Sequence, residues 1–140
     1  MPGFKLFTVD EANRTLPLVR RIVQDLLEEY PKWRQAVGRF ELLTGGARAD
    51  WGETGDLLSA RDEVTLHADR INRYLLELEA VGCVFKGFDA GLVDFHSLRE
   101  DRVVFLCWRL GEERVTHWHE LDAGFGGRQP IDSTFSGAHP

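Results

Sequence analysis

The chain has 140 residues, 43% of them hydrophobic and 29% charged, with a formal charge of −6. That length fits one domain with a core of its own, and the composition excludes wholesale disorder. The acidic balance argues against a general nucleic-acid binder, whose affinity rests on Lys and Arg neutralising phosphates. No apolar run reaches the roughly 20 residues a membrane-spanning helix needs. The opening Met1-Pro2-Gly3-Phe4-Lys5 lacks the pattern of a signal peptide, so a cytoplasmic protein with no membrane association is expected.

Thr8-Val9-Asp10-Glu11 has the form of a capping box and predicts a helix start. From there Leu16, Val19, Val23, Leu26, Tyr30, Trp33, Val37 and Phe40 recur at steps of three and four, the seam of a long helix that packs on another helix. Unbroken to about Leu43, it would be on the order of 50 Å long. Pro17 and Pro31 interrupt it, and each removes an amide and crowds the preceding turn, so a kink is expected near Pro31. The stretch Thr44 to Gly55 holds four glycines and no period, which reads as a mobile connection with Trp51 as an anchor. A second helix follows from about Asp56 to Val81, with Leu57, Val64, Ile71, Leu75 and Leu78 on one side and Gly82 as its stop. The two helices are expected to form an antiparallel hairpin over about 8–81.

After Gly82 the pattern changes to short runs rich in β-branched and aromatic residues. Cys83–Lys86, Gly91–Leu98, Arg102–Arg109 and Val115–His119 read as strands of an antiparallel meander, about 83–120. Val103 to Trp108 is apolar at both parities, which predicts a central strand covered on both faces. The helices can cover only one face. A second copy of the chain is an economical cover for the other, so a homodimer is expected. A glycine-rich loop over 121–131 completes a single domain over 1–131, and a flexible tail over 132–140 follows it. Cys83 and Cys107, far apart and without a Cys-x-x-Cys, read as reduced thiols.

Gly91-Leu92-Val93-Asp94-Phe95, Leu106 to Glu112, and Trp118-His119-Glu120 through Gly124-Phe125-Gly126-Gly127-Arg128 resemble an uncharacterised prokaryotic family, domain of unknown function 2203. Phe7 to Asn13 and Glu79-Ala80-Val81-Gly82 are similar to it as well, so the resemblance covers nearly the whole chain. It implies no activity. The polar positions it singles out are Asp94, Glu112, His119, Glu120, Asp122 and Arg128. His96 stands where the family pattern favours proline, and His117 where an aromatic is usual.

Ligand chemistry is densest in Thr116–Pro130, which holds two imidazoles, two carboxylates, a guanidinium and three glycines. His117 and His119 lie two apart on a predicted strand and share a face, and with nearby carboxylates they suit a divalent metal such as zinc, iron, manganese or nickel. Asp94 on a neighbouring strand would complete the site if the register allows, because a one-residue slip moves it to the opposite face. The bland alternative is that His119 and Glu120 fix the strand end by hydrogen bonds while His117 is merely exposed. Gly124 to Arg128 is a candidate anion site, the glycines turning amides toward an oxyanion and Arg128 offering its fork. Its structural alternative is a turn in which Arg128 pairs with Asp122 or Glu120. Glu63 and His67, four apart on the second helix, are a reserve pair more typical of a satisfied buried histidine. Cys107 with His119 has the residue types of a nucleophilic pair, but a cysteine inside a doubly apolar strand is usually inert.

The expectation is an α+β protein, a long helical hairpin on a small antiparallel sheet. Its function is expected to be binding of a divalent metal or small anionic ligand, with His119, Asp94, His117 and Glu120 toward the metal and Arg128, Glu120 and Asp122 toward the ligand. If it is an enzyme, metal-assisted hydrolysis is the first class to consider. The competing expectation is a non-catalytic module that binds a protein partner through its helical seam.

Overall fold

The computed structural model describes residues 4–45 and 55–135. Helix α1, Val9–Thr44, opens with the capping box read from the sequence: the Glu11 backbone N–H donates to Thr8 Oγ1 at 3.1 Å and the Thr8 N–H to Glu11 Oε1 at 2.8 Å. It runs through both Pro17 and Pro31 without a break and, with 36 residues, extends about 54 Å. Helix α2, Gly55–Val81, returns beside it and ends at Gly82, whose φ of +105° turns the chain into the sheet. Most of the predicted connection, with Trp51, lies outside the described residues; Thr44 closes α1 and Gly55 opens α2.

Five antiparallel strands follow in sequence order: β1 Val84–Gly87, β2 Leu92–Arg99, β3 Arg102–Arg109, β4 His117–His119 and β5 Gln129–Pro130. The last was not anticipated; it forms because Gln129 and Pro130 come back to pair with Trp118 and His117. Strand β3 is central, as its double apolar parity required. Strand alternation gives the sheet two different faces. Val93, Phe95, Val104, Leu106, Trp108 and Trp118 project from one and join Val19, Val23, Leu26 and Leu78 of the helices in one apolar core. The opposite face carries Asp94, Phe105, Cys107 and His119.

The core occupies only the sheet end of the hairpin. Beyond Tyr30, Ala36 is the sole fully buried residue of α1, and Trp33, Val37 and Phe40 of the seam are half-buried. Across this part of the hairpin buried Glu29 meets His67 and, at 3.9 Å, Arg70, while Glu63 pairs with Arg39 at 3.2 Å. The reserve pair is thus split between two partners on α1. At the other extremity Phe135 is buried and packs edge-on against Trp118, so the chain is docked as far as that residue.

Gly91 joins sheet to helix. Its φ is +67°, and a Cβ there would stand 2.9 Å from both Leu110 Cβ and Val23 Cγ1. Gly91→Ala combines left-handed strain with overpacking against α1, and we expect it to cost roughly 2–4 kcal/mol, read as a lower midpoint in urea unfolding. A change below about 0.5 kcal/mol would show that this junction does not hold helix and strand at that spacing.

Candidate functional site

The site is built on the sheet face turned away from the helices. The β2–β3 connection is a two-residue turn, Glu100 at φ +50° and Asp101 at φ +66°, an arrangement that matches the twist of a hairpin without using glycine. It pairs Arg99 with Arg102 and, five positions further in, Asp94 with Cys107. On the other side of β3, Cys107 faces His117 and Phe105 faces His119. Asp94, Cys107 and His119 therefore converge from three adjacent strands. Their ligand atoms lie within 4.8 Å of one another, and all three residues are buried.

His119 is fixed at both ring nitrogens. Nδ1 stands 2.7 Å from the Glu120 carbonyl oxygen, which can only accept, so this nitrogen carries a proton. Nε2 is 3.2 Å from each carboxylate oxygen of Asp94. Burial pushes the Asp94 carboxyl above its usual range, against opposing pulls from His119, Lys86 and the Cys107 thiol. Burial also pushes the Cys107 thiol up to about 12, with Asp94 adding to the effect. Without an ion beside it the thiol is consequently protonated at neutral pH and a poor nucleophile, and ligation of a metal would displace its proton.

This cluster forms the floor of a cavity of about 250 Å³. Lys86 and Leu92 stand on one side of it, and Leu121, Gly124 and Phe125 of the glycine-rich segment close the other. The segment thus supplies from within the chain part of the cover that the second face requires. Phe105, between the rows, takes His119 at 5.4 Å and His96 at 4.6 Å between ring centroids. His96 has its basicity lowered by burial, and its Nδ1 has no hydrogen-bond partner among the described residues.

The cover is anchored at Glu112. Its carboxylate takes both arms of the Arg128 guanidinium, at 2.9 and 3.0 Å, and the Arg109 backbone N–H at 2.8 Å. Arg128 also donates to the Cys107 carbonyl at 3.3 Å and lies over the Phe125 ring. Helix α1 holds the neighbouring loop: the Val115 N–H donates to Asn13 Oδ1 at 2.7 Å, and Arg20 to the Glu113 carbonyl at 3.1 Å.

The structure brings together Asp94 and His119 of the residues expected to gather. His117 shares their face but is half-buried, with its Nδ1 2.9 Å from Thr116 Oγ1. Glu120 turns away to Arg102 at 2.7 Å, Asp122 is exposed, and the Arg128 fork is filled by Glu112 rather than by either of them. Sequence reasoning passed over Cys107 as a ligand and Lys86 altogether. The signal for Cys107 was available, because a two-residue turn at Glu100-Asp101 fixes Asp94 opposite it.

Residues 5–131 match the model of a family described as an uncharacterized conserved protein, DUF2203, and the chain belongs to that family. No curated protein and no solved structure matches it.

The Glu112–Arg128 pair gives a pH signature. Burial alone would raise the Glu112 carboxyl, but the hydrogen bonds from Arg128 and from the Arg109 N–H outweigh it and hold the group below its ordinary value. A depressed carboxyl contributes stability above its unfolded pKa of about 4.3, and that contribution is lost as pH falls through the lower folded value. The melting-temperature gap between wild type and Glu112→Gln should be widest above about pH 5 and shrink below about pH 4. A gap that stays constant from neutral pH to about pH 3 would contradict the ion-pair account.

Proposed function

We propose that the protein binds one divalent transition-metal ion through Asp94 Oδ, Cys107 Sγ and His119 Nε2, at the floor of a cavity that admits a small ligand. The observation that carries this reading is the convergence of three chemically different donors, all buried, on one point that opens to a pocket. Ligands held about 2.0–2.3 Å from a tetrahedral ion stand roughly 3.3–3.7 Å apart, close to the 3.2 Å between His119 Nε2 and the Asp94 oxygens. The Glu120 carbonyl fixes the tautomer that leaves Nε2 with a free lone pair, the usual role of a partner behind a ligating histidine. A mixed N, S and O set suits zinc first, with iron, manganese and nickel less favoured by the thiolate. Three protein ligands leave a fourth position open toward the cavity, as in sites where an ion meets a substrate. If the protein is an enzyme, metal-assisted hydrolysis fits that arrangement best. His117 and Glu120, engaged elsewhere, support the site from its margin rather than ligate.

Metal content decides the matter. Untagged protein purified without chelator should carry or take up about one ion per chain, and His119→Ala and Cys107→Ser should each lower affinity at least roughly tenfold. His119→Ala should also stay folded by circular dichroism. Failure of the wild type to take up zinc, cobalt, nickel, iron or manganese on titration would remove the proposal.

A second reading, a non-catalytic module that binds a protein partner or a second copy, is favoured by the half-buried seam. Tyr30, Trp33, Ile71, Leu75 and Phe88 line a cleft of about 440 Å³ along the hairpin. Under that reading His119→Ala lowers the melting temperature and leaves metal content and partner binding unchanged.

A further inference from the structure

We propose that Lys86 is the anion-recognising residue of the cavity and that the ligand placed there is a small monocarboxylate with a short apolar tail. The inference rests on the metal reading above and deepens it by naming what the open position receives. The first observation is the shape of β1. Phe85 pairs with Val93 and Gly87 with Leu92, so Lys86 is the extra residue of a bulge on an edge strand. Bulges re-aim side chains, and here Lys86 reaches across the polar face, its ammonium 5.0 Å from the centre of the Phe105 ring and its stem on the cavity wall. Among the described residues Lys86 forms no salt bridge. The other cation near the cavity is not available, since both arms of Arg128 are bound to Glu112.

Charge sets the valence of the ligand. A divalent ion with one carboxylate, one thiolate and a neutral imidazole is neutral as a unit, so the ammonium leaves the cavity with a single positive charge for its occupant. Size and lining set the rest. A volume of about 250 Å³ holds roughly eight waters at about 30 Å³ each, below the usual range for drug-sized ligands. Leu92, Leu121 and Phe125 make its wall apolar, and Leu121 and Phe125 are held 51% and 38% exposed at its mouth, where a hydrocarbon tail would cover them. A carboxylate at the floor can meet the ion and the Lys86 ammonium together, with the tail directed along those side chains.

The test uses full-length protein loaded with cobalt(II), whose visible bands report on the thiolate-bound ion. Titration with butyrate should shift the bands, whereas butyramide, of the same shape and no charge, should not. Lys86→Gln should load cobalt to the same extent and bind butyrate about tenfold or more weakly. Absence of cobalt bands in the wild type would take down the metal reading itself. Cobalt bands that ignore butyrate, that respond equally to butyramide, or that respond identically in Lys86→Gln would overturn this inference alone. A stronger response to inorganic phosphate than to butyrate would overturn the assignment of ligand class.

Discussion

The geometry of the polar face depends on the register of one hairpin. Glu100 and Asp101 both take left-handed backbone conformations, so the turn between β2 and β3 contains two residues and no more. That fixes Asp94 opposite Cys107, and the same strand then presents Phe105 and Cys107 to β4. A slip of a single residue would carry Asp94 into the apolar core and Val93 or Phe95 onto the polar face. The core and the site are therefore specified by the same pairing. The apolar set on the helix side penalises any other register strongly, and the three donors on the opposite side inherit that precision.

A second constraint acts on the cover. The segment after β4 has little secondary structure of its own, a short 3-10 turn at Phe125–Gly127 and the two residues of β5. Glu112 ties it down by taking the Arg128 fork while accepting from the end of β3. Trp108 holds the Glu112 loop itself from beneath, its Nε1 donating to the Glu112 carbonyl at 3.0 Å. The segment that closes the cavity is thus fastened through Arg128 to a loop that an indole holds on the apolar core and a carboxylate holds on the strand end.

Much of the fold was legible in the residues. Thr8 and Glu11 announced the helix start, the three-and-four spacing of Leu16 to Phe40 gave the long helix, and the apolar run Val103 to Trp108 placed the central strand. Each is a local pattern with a local cause. The prolines did not end the helix, since α1 runs through Pro17 and Pro31 without a break. Strand β5 was illegible, since two residues carry no period. At the site, Asp94 and His119 were readable as candidates, but their meeting depended on strand pairing that spacing alone leaves open. Cys107 was set aside because an apolar run suggested burial on both sides, and burial of a thiol reads as inert. Here the buried side is polar. Lys86 gave no signal, for a bulge is a property of two strands together. Arg128 was read as a fork for an anionic ligand or, as the alternative, for Asp122 or Glu120, and its partner proved to be Glu112, sixteen residues away across a loop.

The division of labour between the two faces bears on how this chain can change. Because neighbouring positions along β2 and β3 alternate between the helix-packed side and the polar side, positions 92, 94 and 107, which line the cavity, can be exchanged without removing a side chain of the apolar core. Fold and chemistry are written in interleaved but separate alphabets. Under the proposed ligand-binding reading, substitution at those positions would change what the cavity accepts while the apolar set on the helix side keeps the frame, and a library randomised there alone would sample new specificities.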